Sequence, residues 1–159
     1  MYIKATPQAV WEAITTPEWT SRYGKGGVVE YDLRPGGAYR AYPGEAMKRK
    51  AAEMGFPLPE AAFDGEVIEA DPPRRLVHTF RMLIGDEAAT AEGFTRLTWE
   101  IDEVQPGVSK LTVIHDTEGA PIMAAQSSGE MEGKGAGGGW NYVLSDLKSL
   151  LETGQSLRG

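Results

Sequence analysis

Gly139-Trp140-Asn141-Tyr142-Val143-Leu144-Ser145-Asp146-Leu147-Lys148-Ser149-Leu150-Leu151-Glu152-Thr153 is the stretch whose reading decides the fold. Trp140, Val143, Leu144, Leu147, Leu150 and Leu151 recur at three- and four-residue spacings and mark one apolar face. Asn141, Ser145, Asp146, Lys148 and Ser149 mark the other, and Gly154 stands where a left-handed residue ends a helix. A helix with one wet side must lay its apolar face on something larger. Upstream the period changes to two: Val29, Tyr31 and Leu33 alternate with Glu30 and Asp32, the pattern of a half-buried strand. Pro35-Gly36-Gly37 turns the chain, and Ala38 to Tyr42 forms the partner strand. Further strands are expected over Phe63 to Ala70, Arg74 to Ile84, Phe94 to Val104, and Ser109 to Asp116. The links Asp71-Pro72-Pro73 and Gln105-Pro106-Gly107 are too short for parallel crossovers, so the sheet is antiparallel. A short strand, Tyr2 to Ala5, precedes all of this, and Thr6-Pro7 and Thr16-Pro17 each open a short helix. The expected class is α+β: a curved antiparallel sheet gripping a long C-terminal helix, with two short helices after the first strand.

The chain has 159 residues, 41% hydrophobic and 25% charged, which suits a single domain over residues 1–159. Two segments interrupt the sheet. Residues 43–62 contain the helix-prone run Glu45 to Met54 and read as an inserted flap. Residues 120–139 are rich in Gly, Ser, Ala and Met and read as a mobile loop with at most a short helix. The net charge is −7, and the longest basic run is Lys48-Arg49-Lys50, a poor basis for neutralising phosphates; nucleic acid is excluded as a partner. The absence of cysteine removes disulfides, zinc–thiolate sites and thiol nucleophiles together. No apolar run approaches a membrane span, and Met1-Tyr2-Ile3-Lys4 carries no signal-peptide pattern, so the expected location is the cytoplasm.

A helix bridging a curled sheet leaves space beneath it, which a small apolar molecule can occupy. Strand parity places Leu76, His78, Phe80 and Met82 on one face, Leu97, Trp99 and Ile101 on the next strand, and Leu111, Val113 and His115 on the last. Both histidines therefore face inward. The expected ligand-contacting residues are Trp19, Tyr23, Tyr31, His78, Phe80, Met82, Trp99, His115, Trp140 and Leu144. For the large aromatics the competing reading is plain packing between helix and sheet. His115 and His78 are also the candidates for a general base, against the competing reading of hydrogen-bonded core histidines. No third ligand or His-x-x-x-His spacing accompanies them, so no metal site is expected. Gly133-Lys134-Gly135-Ala136-Gly137-Gly138 matches G-x-G-x-x-G, but it lacks the preceding strand of a βαβ unit, so no nucleotide or other cofactor is expected. Asp64 with Glu66 and Glu100 with Asp102 fall on the solvent face, as does Thr98.

The motifs in order resemble a known family. Tyr2-Ile3-Lys4-Ala5-Thr6-Pro7 with Val10-Trp11, Trp19, Pro35-Gly36-Gly37, and Gly65-Glu66-Val67 are followed by Asp71-Pro72-Pro73-Arg74-Arg75-Leu76-Val77. Leu111-Thr112-Val113-Ile114-His115 and Gly139-Trp140 with Leu144, Leu147-Lys148 and Leu151-Glu152 complete the set. Nearly end to end, the chain resembles the START-like (SRPBCC, helix-grip) superfamily, in the branch named for the activator of the heat-shock protein 90 ATPase. The resemblance implies the helix-grip (START/Bet v-like) fold and a pocket role for His115. It leaves three functions open. The preferred one is binding of a small hydrophobic ligand such as a lipid, polyketide or aromatic metabolite; the alternatives are a cyclase- or dehydratase-like enzyme using a cavity histidine and a chaperone ATPase-activator-like stress regulator. A homodimer is the expected candidate assembly.

Overall fold

Local signals set the first elements. The computed structural model describes residues 1–85, 87–134 and 137–158. After β1 (Tyr2–Ile3), the Thr6 hydroxyl accepts the Ala9 amide and starts α1 (Pro7–Thr15), which buries Val10, Trp11, Ala13 and Ile14 on one face. Thr16-Pro17 opens α2 (Pro17–Thr20), yet the Thr16 hydroxyl donates back to the Glu12 carbonyl at the end of α1 instead of capping α2, which stops after four residues.

Seven antiparallel strands follow one another in a sheet among the described residues, ordered β1-β7-β6-β5-β4-β3-β2. They are β2 (Val28–Tyr31), β3 (Ala38–Tyr42), β4 (Phe63–Asp71), β5 (Arg75–Met82), β6 (Thr95–Gln105) and β7 (Val108–Asp116), with β1 added beside β7. Leu33 falls outside β2 and is exposed, because the chain turns back through Asp32 and Pro35-Gly36. Gly37 in that turn lies so close to the Asp32 carbonyl that no Cβ fits. Bulges between Val67 and Glu69 and between Glu103 and Gln105 shift the register and bend the strands that carry them.

The parity reading holds on the inner face, where Leu76, His78, Leu97, Ile101 and Leu111 are each no more than 2% exposed. Thr98 departs from it: this outward residue is buried between Val77 and Ile114, its register partners on the two neighbouring strands. α6 (Gly139–Thr153) crosses the inner face as its stripe requires. Its second half is packed solid, with Leu147 and Leu150 buried among Ile3, Val10, Ile14, Trp99 and Leu111. Each such side chain contributes roughly 1.5–3 kcal/mol by leaving water. Gly154 ends the helix at φ 79°.

Asp146 corrects the helical-wheel reading. Its spacing predicts the wet face, but it is fully buried. Its carboxylate accepts the Gly24 amide at 2.8 Å, the Leu157 amide at 2.7 Å and the Ser156 hydroxyl at 2.8 Å. The chain after Gly154 folds back over this flank and, with the Gly24 loop, removes it from solvent.

The first interruption is helical over the run whose sequence is helix-prone, and the second holds one short helix and a 3-10 turn. α3 (Glu45–Met54) begins at Gly44 and ends at Gly55 in the left-handed region. α4 (Glu87–Ala91), which the sequence pattern does not announce, joins β5 to β6. Within 120–139 lie α5 (Pro121–Ser128) and a 3-10 turn, Glu132–Lys134. Glu92, thirty residues away, caps α5 by accepting the Ile122 and Met123 amides at 2.7 and 3.2 Å. Helix α5, rather than a strand, precedes the G-x-G-x-x-G match, whose Gly133 and Lys134 belong to the 3-10 turn; its Gly135 and Ala136 lie outside the described residues.

Candidate ligand-binding cavity

The first half of α6 is not packed solid. Between Trp140 and Val143 of α6 and the β2–β3–β4–β5 side of the sheet lies a cavity of about 410 Å³. Its floor is the inner row Tyr31, Tyr39, Ala41, Phe63, Phe80 and Met82, with Leu97 and Trp99 beyond. Met47 of α3, Met123 of α5 and the Gly137–Gly139 backbone close other sides. Small residues at Ala41, Ala62 and Gly24 leave the room that larger ones would fill. Among the lining residues, only Lys25 and Glu132 are exposed as whole residues, and they mark the mouth. The Asp146 bond to Gly24 fixes the loop that carries Lys25.

Of the residues expected to contact a ligand, Tyr23, Tyr31, Phe80, Met82, Trp99 and Trp140 line this cavity. Trp19, His78, His115 and Leu144 do not. Trp19 packs on the core from outside, with the Arg22 guanidinium 4.8 Å from its ring centre. Leu144, one residue past the last cavity-lining position of α6, packs against the solid core. The two histidines face inward as expected but sit beneath the wall, each consumed by hydrogen bonds.

His78 is fully buried. Its Nδ1 lies 2.8 Å from the Thr79 carbonyl, which can only accept, so Nδ1 carries the proton. Nε2 is then the acceptor, facing the Trp99 indole N–H at 3.4 Å and the Tyr31 hydroxyl at 3.3 Å. His115 takes the opposite tautomer. The Trp140 indole N–H donates to its Nδ1 at 3.2 Å, so its Nε2–H donates to the Thr95 hydroxyl at 2.7 Å, which donates on to the Phe80 carbonyl. Each imidazole thus holds one indole of an edge-to-face pair, Trp99 and Trp140, whose ring centres are 5.3 Å apart. Burial lowers both histidine pKa values from 6.5 to about 4; the Thr79 carbonyl opposes this at His78, and Asp116 opposes it at His115. Both are neutral at ordinary pH.

The tyrosines of the wall are held protonated. Burial raises the pKa of Tyr23, with Asp146 adding to it, and raises those of Tyr31 and Tyr39. The Tyr23 hydroxyl donates to the Ala13 carbonyl at 2.9 Å. Lys25 keeps surface in water, yet the atoms crowding its ammonium lower its pKa by desolvation. Neither Lys25 nor Tyr39 is in the expected set. Lys25 sits in a glycine-rich turn without periodicity, whereas Tyr39 shares the strand parity of Ala41, a signal that could have found it. Among the described residues, no three His, Cys, Asp or Glu side chains gather to hold a metal, and no helix is long and apolar enough to cross a membrane.

Comparison with known proteins settles the family. The family model described as activator of Hsp90 ATPase homolog 1-like protein matches residues 4–152. The chain belongs to that family. No curated protein matches it. Among solved structures, CalU16 from Micromonospora echinospora is similar at 17% identity and a TM-score of 0.64, over 99% of this chain and 74% of that one. PFC0360w, an Hsp90 activator from Plasmodium falciparum, is 16% identical with a TM-score of 0.61, over 94% and 91% of the two chains. The Aha1 dimer from Colwellia psychrerythraea is 16% identical with a TM-score of 0.58, over 98% and 95%. These likenesses, all below 25% identity, establish the fold: a curved antiparallel sheet gripping a long C-terminal helix.

Proposed function

We propose that this chain binds a small, largely apolar molecule in the cavity beneath α6, as a carrier or sensor. The observation that carries the reading is the cavity itself: about 410 Å³, within the roughly 300–1,000 Å³ range of small-molecule sites, walled by tyrosine, phenylalanine, tryptophan and methionine side chains. Apolar walls offer a hydrophobic guest its driving force, and the few polar groups orient it. Residues 43–62 act as a flap over the site, with Met47 reaching the guest.

The enzyme reading needs an imidazole within reach of substrate. Neither histidine lines the cavity, and both nitrogens of each are engaged with protein groups. The chaperone reading has behind it the family's name and the likeness to an Hsp90 activator at 16% identity, whereas the cavity is a feature of this chain. A thermal-shift and native-mass screen of uncharged lipids and aromatic compounds tests the proposal. A ligand at a hundredfold excess over Kd stabilises by about 2.7 kcal/mol. Ala41→Trp, which fills the floor, abolishes that gain while the variant still folds. A screen without any stabilising ligand, or one whose hits bind Ala41→Trp equally well, would refute it.

A further inference from the structure

Tyr39 stands in the middle of the cavity floor, only 5% exposed, with ring centres of Tyr31 at 4.8 Å and His78 at 4.3 Å. The polar groups around it are already used. The Tyr23 hydroxyl is committed to Ala13, the Tyr31 hydroxyl to His78, and the second His78 nitrogen to Thr79. The Tyr39 hydroxyl has no protein partner among the described residues. Among those residues no side-chain nitrogen or oxygen is both sealed from solvent and unpartnered, so this hydroxyl must touch open space. On the inner face of β3 that space is the cavity. The lining also carries Tyr42, Gln126 and Ser127, but these are more exposed than Tyr39. A buried hydroxyl without a protein partner in a largely apolar wall is the arrangement that fixes a guest's orientation and discriminates between guests.

We infer that Tyr39 is the specificity-determining residue of the cavity and donates a hydrogen bond to a neutral acceptor oxygen, a ketone or ester carbonyl, on an otherwise apolar ligand. This rests on the small-ligand reading above. The acceptor character follows from the hydroxyl's proton. Burial, with Tyr23 and Asp64 nearby, raises its pKa, so the group remains a donor at every ordinary pH. The neutral character follows from the surroundings. Asp64 is close enough to be felt, its partner Arg81 is already spent on it in a two-point ion pair at 3.0 and 2.7 Å, and the one lysine or arginine among the described lining residues, Lys25, is at the exposed mouth. An anionic oxygen at Tyr39 would therefore be stripped of water with no cation to meet it. A carbonyl satisfies the hydroxyl without bringing a proton that needs an acceptor of its own.

Two probes of the same shape test this: 2-acetonaphthone, and 2-isopropenylnaphthalene, in which a methylene replaces the carbonyl oxygen. Both are titrated into the full chain and into Tyr39→Phe, following tryptophan fluorescence. The expected result is that Tyr39→Phe weakens the ketone about three- to tenfold and leaves the hydrocarbon within about twofold. Losing a hydroxyl without a protein partner should leave the midpoint of the ligand-free variant at or above that of the parent. The infrared carbonyl band of the ketone bound to the parent protein should lie below its position in hydrocarbon solvent, a readout independent of any variant. Equal responses of both probes to Tyr39→Phe, or an unshifted carbonyl band, overturn the inference and leave the small-ligand reading standing. Failure of the parent to bind either probe overturns both.

Discussion

Lowering the pH from 7.5 to 5 should weaken the fold through His78, and the burial of its ring sets the sign. In the folded chain burial lowers its pKa from 6.5 to about 4, because a proton on Nε2 would face an indole N–H with no water to share the charge. The other groups around the ring are the Tyr31 and Tyr39 phenols, both held neutral, and His115, itself lowered. A depressed folded value means that the unfolded chain takes up the proton first. The stabilising contribution is therefore complete above pH 6.5, shrinks as the pH falls, and is gone below about pH 4. The loss comes to about 2 kcal/mol at pH 5 and about 3 kcal/mol at pH 4, with half-buried His115 adding a smaller amount in the same window. Urea unfolding followed by tryptophan fluorescence at several pH values measures it. His78→Gln keeps an acceptor but cannot titrate, so its stability should fall by about 2 kcal/mol less than the parent's between pH 7.5 and 5. Parallel curves for parent and variant would refute the sealed His78 network.

Other consequences are as direct. Asp146→Ala strands the Gly24 and Leu157 amides and should cost about 2–4 kcal/mol, read as a lower urea midpoint; a loss below about 0.5 kcal/mol would mean the buried carboxylate is dispensable. Lys25, whose pKa is lowered by desolvation, should react with an amine-directed acylating reagent at pH 8 faster than Lys48 or Lys50, and a bound apolar ligand should protect it. Peptide mapping by mass spectrometry follows both, and unprotected labelling would place the ligand elsewhere. Replacing Trp140 by Phe removes the indole donor to His115 and should weaken apolar ligands severalfold, measured by titration calorimetry, while Trp19→Phe leaves them unchanged.

The helix and sheet are legible because their signals are local. Trp140 to Leu151 repeats at helical spacing, strand parity puts His78, Leu97 and His115 on one face, and register pairing sets these three in one row across β5, β6 and β7. What escapes depends on partners distant in sequence. Asp146 reads as a wet-face residue until the Gly24 loop and residues 156 and 157 close over it, and nothing local to Glu92 announces that it caps α5, thirty residues on. The same limit governs the site. Parity says that a histidine points inward, but not that Thr79, Thr95 and two indoles will use both its nitrogens. Nor does it say where packing stops, so Leu144 and Trp19 cannot be told from Val143 and Tyr23.

Methionine methyl groups offer the most direct test of the central claim. Met47, Met82 and Met123 line the cavity, whereas Met54 is exposed on α3 and Met1 packs against the solid core. With 13C-labelled methionine, saturating 2-isopropenylnaphthalene should move the methyl resonances of Met47, Met82 and Met123 and leave those of Met1 and Met54 in place. Unmoved cavity methyls, or shifts confined to Met54, would contradict the account.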